Sequence, residues 1–181
     1  MVTWSAERSV TTIDPPERTE AAEYYFTYID QVPRGDIRTI LHTQLGETVE
    51  LLRRIPEERS LHRYAPGKWS IREVVGHLND TERLFVFRAL WFGRGFDTPL
   101  PSFDQNIAIA TAASNDRPLN DHISEFDSLR AATVAFFQHL PEEAWTRRGI
   151  ASGNPFSVRA LAYIAAGHVA HHLRILRERY L

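Results

Sequence analysis

Ser70-Ile71-Arg72-Glu73-Val74-Val75-Gly76-His77-Leu78-Asn79-Asp80-Thr81-Glu82-Arg83-Leu84-Phe85 is the stretch that decides the fold. Its first four residues form a capping box: the Ser70 hydroxyl accepts from the backbone three residues on, and Glu73 reaches back to the cap amide. Ile71, Val74, Val75, Leu78 and Phe85 then recur at helical spacing and make one apolar stripe. His77 falls at or just beside that stripe. Gly93, Gly95 and Pro99-Leu100-Pro101 close the helix.

The same period recurs on both sides. Upstream, Ile37, Ile40, Leu41, Leu45, Val49 and Leu52 mark a helix that begins after the turn signal Pro33-Arg34-Gly35 and ends at Pro56. Residues 1–19 read as a polar arm, and 20–181 as one domain. Residues 19–32 are rich in aromatics (Tyr24, Tyr25, Phe26, Tyr28) and read as a short helix docking on the rest. Downstream, residues 102–117 carry at most a brief helix. A third long helix is expected over about 120–140, with Phe126, Leu129, Thr133, Phe136, Phe137 and Leu140 inward and Pro141 stopping it. Residues 149–155 read as a turn-rich linker, after which Ser157 caps a last helix. No segment of useful length alternates with period two. The expectation is an all-α chain, a bundle of four long helices.

Composition sets the outer bounds. The chain has 181 residues, 43% hydrophobic and 24% charged, which suits one globular core covering roughly 70% of the unfolded surface. A formal charge of −2 gives no basic footprint, so nucleic acid is not the expected partner. There is no cysteine, hence no disulfide, no thiolate ligand and no cysteine nucleophile. The first residues lack an apolar signal core, and no apolar run approaches the ~20 residues of a membrane span. A soluble, cytoplasmic protein with no membrane partner is expected.

The chemistry lies in four of the eight histidines. His42, His62, His122 and His139 sit among polar neighbours or near helix ends and read as ordinary solvated rings. In the last helix the inner stripe runs Leu161, Ile164, Ala165, His168, His172, Ile175. At about 100° per residue, His168 and His172 lie only about 40° apart, one turn along the same face. His171 lies about 60° to the other side. Unpartnered buried imidazoles are costly, and one metal ion satisfies several. Three inward imidazoles from two helices would leave an open coordination position, as in catalytic metal sites. Glu73 and Asp80, one turn either side of His77, are the candidate supporting carboxylates. Hydrogen-bonded core histidines without a metal are the other reading.

Two separated segments resemble a known family. Residues 64–78, Tyr-Ala-Pro-Gly-Lys-Trp-Ser-Ile-Arg-Glu-Val-Val-Gly-His-Leu, are similar to the second-helix signature of the DinB/YfiT-like superfamily. Ala166-Gly167-His168-Val169-Ala170-His171-His172-Leu173 resembles its closing motif. Asp80-Thr81-Glu82-Arg83 and Pro99-Leu100-Pro101-Ser102-Phe103-Asp104-Gln105 fit between them in the right order. The resemblance implies an up-down-down-up four-helix bundle, often dimeric, with a zinc- or nickel-like ion on His77, His168 and His172. Its members include S-transferases dependent on low-molecular-weight thiols and metal-dependent hydrolases. The expected function is therefore a metal-dependent enzyme on a small molecule: a thiol S-transferase in detoxification, a hydrolase, or a bundle that only binds metal or ligand. Arg83 and Arg88 are candidates for holding a substrate carboxylate, and Asp104 and Gln105 for reaching the metal from a loop. Exposed aromatics at Tyr24–Tyr28, Trp91 and Phe92 suggest a homodimer.

Overall fold

The computed structural model describes residues 12–181. Residues 1–11 of the expected polar arm lie outside that range. Four long helices form the frame: α2 (Ile37–Arg53), α3 (Ile71–Gly93), α5 (Leu119–Gln138) and α6 (Val158–Ile175). Two short ones, α1 (Phe26–Ile29) and α4 (Gln105–Thr111), lie against it. α2 and α3 each pack against both α5 and α6, and α1 lies on α6. Among the described residues, no helix is long and apolar enough to cross a membrane.

Local chemistry sets the helix starts. Asp36 accepts from the Arg38 amide at the start of α2. The capping box expected at Ser70 is present in both directions, at 3.1 Å from the Glu73 amide and 2.7 Å from the Ser70 amide. Ser157 caps α6 by accepting from the Ala160 amide at 2.9 Å. Such caps each stabilise a helix by about 1 kcal/mol.

The core is layered. One apolar cluster contains Ile37, Leu41, Phe85, Phe92, Phe137 and Leu161; the other contains Val49, Leu52, Leu78, Phe126, Val169 and Leu173. On every long helix a polar residue stands between the two clusters: Gln44 on α2, Thr81 and Glu82 on α3, Arg130 on α5 and His168 on α6. Arg130 and Glu82 pair through bonds of 2.7 and 2.8 Å with side chains 0% and 2% exposed. Arg130 also donates to Gln44 Oε1 at 2.6 Å, and Gln44 donates to the Ala166 carbonyl at 2.9 Å. The bundle therefore carries a hydrogen-bonded polar belt through its middle.

Three expectations are corrected. The 149–155 linker is a β-hairpin, β1 (Arg148–Ala151) antiparallel to β2 (Asn154–Ser157), so the chain is mostly helical and not all-α. Its two-residue turn, Ser152-Gly153, has φ of 53° and 73°, the left-handed pair that matches strand twist in a tight hairpin. The loop at Leu100 bonds to this hairpin through the Ile150 carbonyl and the Ser152 amide. His122 is not solvated: it is 2% exposed, and its Nε2 donates to the Ser114 carbonyl at 2.9 Å. Phe92 is likewise in the core, at 1% exposure, because it fills the space over Gly149, where a Cβ would meet its ring at 2.0 Å. Toward the N-terminus, Ile13 is buried and its carbonyl accepts from the Tyr163 hydroxyl at 3.0 Å.

Candidate metal centre

The belt opens into a histidine cluster. His77 on α3 and His168 and His172 on α6 turn their rings to one point: His168 Nε2 lies 3.1 Å from His77 Nε2 and 3.2 Å from His172 Nε2. One ligand atom from each ring lies within 4.8 Å of the other two. Nitrogens bound tetrahedrally to one zinc-sized ion, at about 2.0–2.1 Å, sit about 3.3 Å from each other. The donor set fits such an ion without rearrangement of its helices.

Hydrogen bonding points the same way. The Thr81 hydroxyl donates to the His77 carbonyl at 2.7 Å, so its oxygen is free to accept from His168 Nδ1 at 3.4 Å. That assigns the His168 proton to Nδ1 and leaves an Nε2 lone pair facing two other rings. One lone pair serves two donors poorly and suits a Lewis acid well. Burial holds His77 down to about pKa 4 and His172 to about 3, and pushes His168 well below the usual histidine range. All three rings are therefore neutral near neutral pH, the form that ligates metals.

Aromatic groups fix the rings from outside. Trp69 lies against His77, while Tyr28 and Phe85 meet His168 edge-on at 5.2 and 5.6 Å. Gly167 lets the Tyr28 segment come this close, since a Cβ there would lie 2.1 Å from the Tyr28 carbonyl oxygen. In front of His77 and His168 is a cavity of about 430 Å³, walled by Tyr24, Tyr25, Tyr28, Phe85 and Phe103 with Thr81, Arg88 and Ser152. This volume falls within the range of small-molecule pockets.

The other sequence candidates divide. Asp104 and Gln105 line the cavity, although Asp104 caps α4 by accepting from the Asn106 and Ile107 amides. Glu73 does not reach the cluster; it is held by Arg63, Asn115 and the Ser70 amide. Asp80 lies in a separate hollow with Leu84, Phe87 and Phe103, and Arg83 pairs with Glu125. His171 meets Tyr28 edge-on, and its Nδ1 lies 3.5 Å from Gln31 Nε2, so it stands beside the cluster and not in it. Thr81, Glu82, Gln44 and Arg130 support the site without belonging to a metal-ligand motif. Period marked two of them: Glu82 follows Leu78 by four, and Arg130 follows Phe126 by four, both on inner faces.

The family model described as the DinB superfamily matches residues 40–176, which include all three clustered histidines. The chain belongs to the DinB superfamily. A relative in Oceanobacillus iheyensis, provisionally named a metal-dependent hydrolase, is 28% identical over 132 residues, covering 72% of this chain and 73% of that protein. Among solved structures, YfiT from Bacillus subtilis, described as "a probable metal-dependent hydrolase with an unusual four-helix bundle topology", superimposes with a TM-score of 0.66 at 17% identity, over 90% of this chain and 89% of that one. The mycothiol-dependent maleylpyruvate isomerase superimposes with a TM-score of 0.64 at 13% identity, over 76% of this chain but only 58% of the isomerase. At these identities the two structures establish the shared bundle.

Proposed function

We propose that His77, His168 and His172 hold one divalent ion, zinc or nickel, and that the protein joins an external small thiol to an electrophilic substrate. The observation that carries this reading is the convergence of three neutral Nε2 atoms on one point, with two of the rings, His77 and His168, lining a cavity. An ion bound there supplies Lewis acidity, and a thiol of pKa about 8.5 needs far less of it than water at about 15.7.

The cavity wall favours the thiol for a second reason. Its titratable side chains are the three tyrosines, His77, His168, Arg88 and Asp104, and Asp104 is engaged as a helix cap. Among the described lining residues the one carboxylate, Asp104, is exposed and holds the α4 amides through Oδ1, so no buried carboxylate lines the cavity as a general base for water. The chain's own part is positional. Thr81 orients His168, the Glu82–Arg130 pair fixes α3 against α5, and the tyrosines exclude water around the reacting groups. A reducing, thiol-rich cytoplasm is the compartment this reading requires.

Hydrolysis is the second reading, favoured by the name given to the Oceanobacillus relative and the description of YfiT. Elemental analysis of purified protein and of His168→Ala comes first: the wild type should carry about one ion per chain and the variant none. Loaded protein is then offered 1-chloro-2,4-dinitrobenzene with and without a small thiol, and p-nitrophenyl acetate with water alone. Thiol-dependent turnover lost in His168→Ala supports the transferase. Ester cleavage without thiol decides for the hydrolase, and a loaded protein inert to both is a binding bundle.

A further inference from the structure

Arg88 returns to the face of α3 that carries His77, because eleven helical steps of about 100° close to within about 20°. It is 2% exposed. The other cation buried as deeply among the described residues, Arg130, is met by the Glu82 carboxylate. Arg88 has only neutral oxygens and the face of the Phe156 ring, 5.9 Å from its guanidinium carbon. Its Nη2 donates to Ser152 Oγ at 2.8 Å and to the Pro101 carbonyl at 3.4 Å, the Tyr25 hydroxyl faces the guanidinium, and Nε has no partner. A guanidinium does not give up its proton in a protein, and burying one without a counter-charge is expensive. Ser152 adds strain, since it holds the left-handed φ of 53° that brings its hydroxyl to Arg88.

This unmatched charge lines the same cavity as His77 and His168. The one carboxylate of the described lining, Asp104, is exposed and spends its Oδ1 on the Asn106 and Ile107 amides. We propose that Arg88, with Ser152 and Tyr25, is the subsite for a carboxylate on the substrate, a monoanionic acid with an aromatic or apolar body. The inference rests on the cavity being the substrate site, and it names the class of molecule that enters. A single arginine matches a single negative charge, and its fork matches the two oxygens of a carboxylate. A phosphate monoester carries about −1.5 to −2 and would need a second cation. The Tyr24, Tyr25, Tyr28, Phe85 and Phe103 walls supply the apolar surroundings. The Cα atoms of His77 and Arg88 are separated by about 16 Å of helical rise, so the acid group is held apart from the reacting centre within the one cavity.

The test uses the full chain stripped of metal, so that anion recognition is read apart from metal binding. Calorimetric titration with phenylacetate, phenylacetamide and phenyl phosphate compares one shape with three charges. The acid should bind about tenfold or more tighter than the amide, the worth of one charge-assisted pair, and tighter than the phosphate. Arg88→Met should erase the preference for the acid while unfolding at no lower a temperature than wild type, because it removes an uncompensated charge. Amide binding equal to acid, phosphate binding tighter than acid, or a preference that survives in Arg88→Met overturns the proposal. Should that variant fail to fold, the wild-type ranking of acid, amide and phosphate decides alone. Metal content of the same preparations tests the histidine site separately, so either result can fail without the other.

Discussion

Breaking the buried pair in the polar belt should be far worse than removing it whole. Arg130 is 0% and Glu82 2% exposed, and their two bonds of 2.7 and 2.8 Å leave neither group any access to water. Arg130→Met strands a carboxylate in the core, and Glu82→Leu strands a guanidinium that otherwise holds Gln44 Oε1 and the Ala165 carbonyl. Each single change should cost about 3–5 kcal/mol. For a chain of this length that lowers the melting temperature by about 6–20 °C, at roughly 2–4 °C per kcal/mol. The double variant loses both desolvation penalties together with the pair, and should fall within about 2 kcal/mol of wild type, the remainder being the partner that Gln44 forfeits. Urea unfolding followed by circular dichroism on metal-free protein gives the four corners of the cycle; removing metal keeps ligand linkage out of the numbers. If either single change costs less than about 1 kcal/mol, or the double costs the sum of the singles, the pair is not the buried unit described.

Other consequences are quicker to state. Gly167→Ala places a Cβ against the Tyr28 carbonyl oxygen, at 2.1 Å before relaxation, and should cost about 1–3 kcal/mol while displacing Tyr28 from His168; thermal melts and near-ultraviolet circular dichroism report both. Glu20 is pushed up by burial but pulled further down by Arg159, Ser157 and the Glu17 amide, so its carboxylate is held below the ordinary 4.5. A depressed carboxyl stabilises above that value and loses its contribution as pH falls below it, so Glu20→Gln should be destabilised at neutral pH and draw level with wild type in acid, by urea midpoint. Because His77 and His172 take protons only near about 4 and 3, zinc affinity measured by chelator competition should stay flat from neutral pH down toward about 4; a decline beginning near the ordinary histidine value of 6.5 would contradict the buried cluster. For assembly, the proposal is self-association through the exposed Phe87, Leu90 and Phe96. Sedimentation velocity should then show a dimer that Phe96→Ser dissociates, and a wild type that is monomeric at every concentration refutes it.

The long helices were legible because their signals are local and redundant. The Ser70 box, the stripe Ile71 to Phe85 and the stops at Pro56 and Pro141 each sit within a turn or two of what they determine. The histidine cluster was legible for the same reason: a polar ring at a position where the period demands leucine stands out, and His168 and His172 do so together. The hairpin was not, since each strand is four residues long and too short for alternation to register against a mixed background. Only Ser152-Gly153 betrayed it, a dipeptide that marks a turn without naming its type. His122 misled because burial there depends on Ser114, whose seat against Gly76 is a tertiary contact. Glu73 misled in another way, since sequence adjacency to His77 says nothing of the Arg63 and Asn115 that claim it first.

The cavity is assembled from two kinds of chain. Its histidines belong to α3 and α6, locked by the belt that runs through the bundle, whereas much of its outer wall comes from the α1 segment, the 99–105 loop and the β1–β2 hairpin. A substitution in the outer wall changes which molecule fits without disturbing the frame that holds the imidazoles. Descendants of such a chain are free to change the shape of the pocket mouth while keeping the same histidine cluster, and a designer has the same freedom. Grafting a different turn in place of Ser152-Gly153 would re-cut the Arg88 end of the pocket and leave the histidine end as inherited.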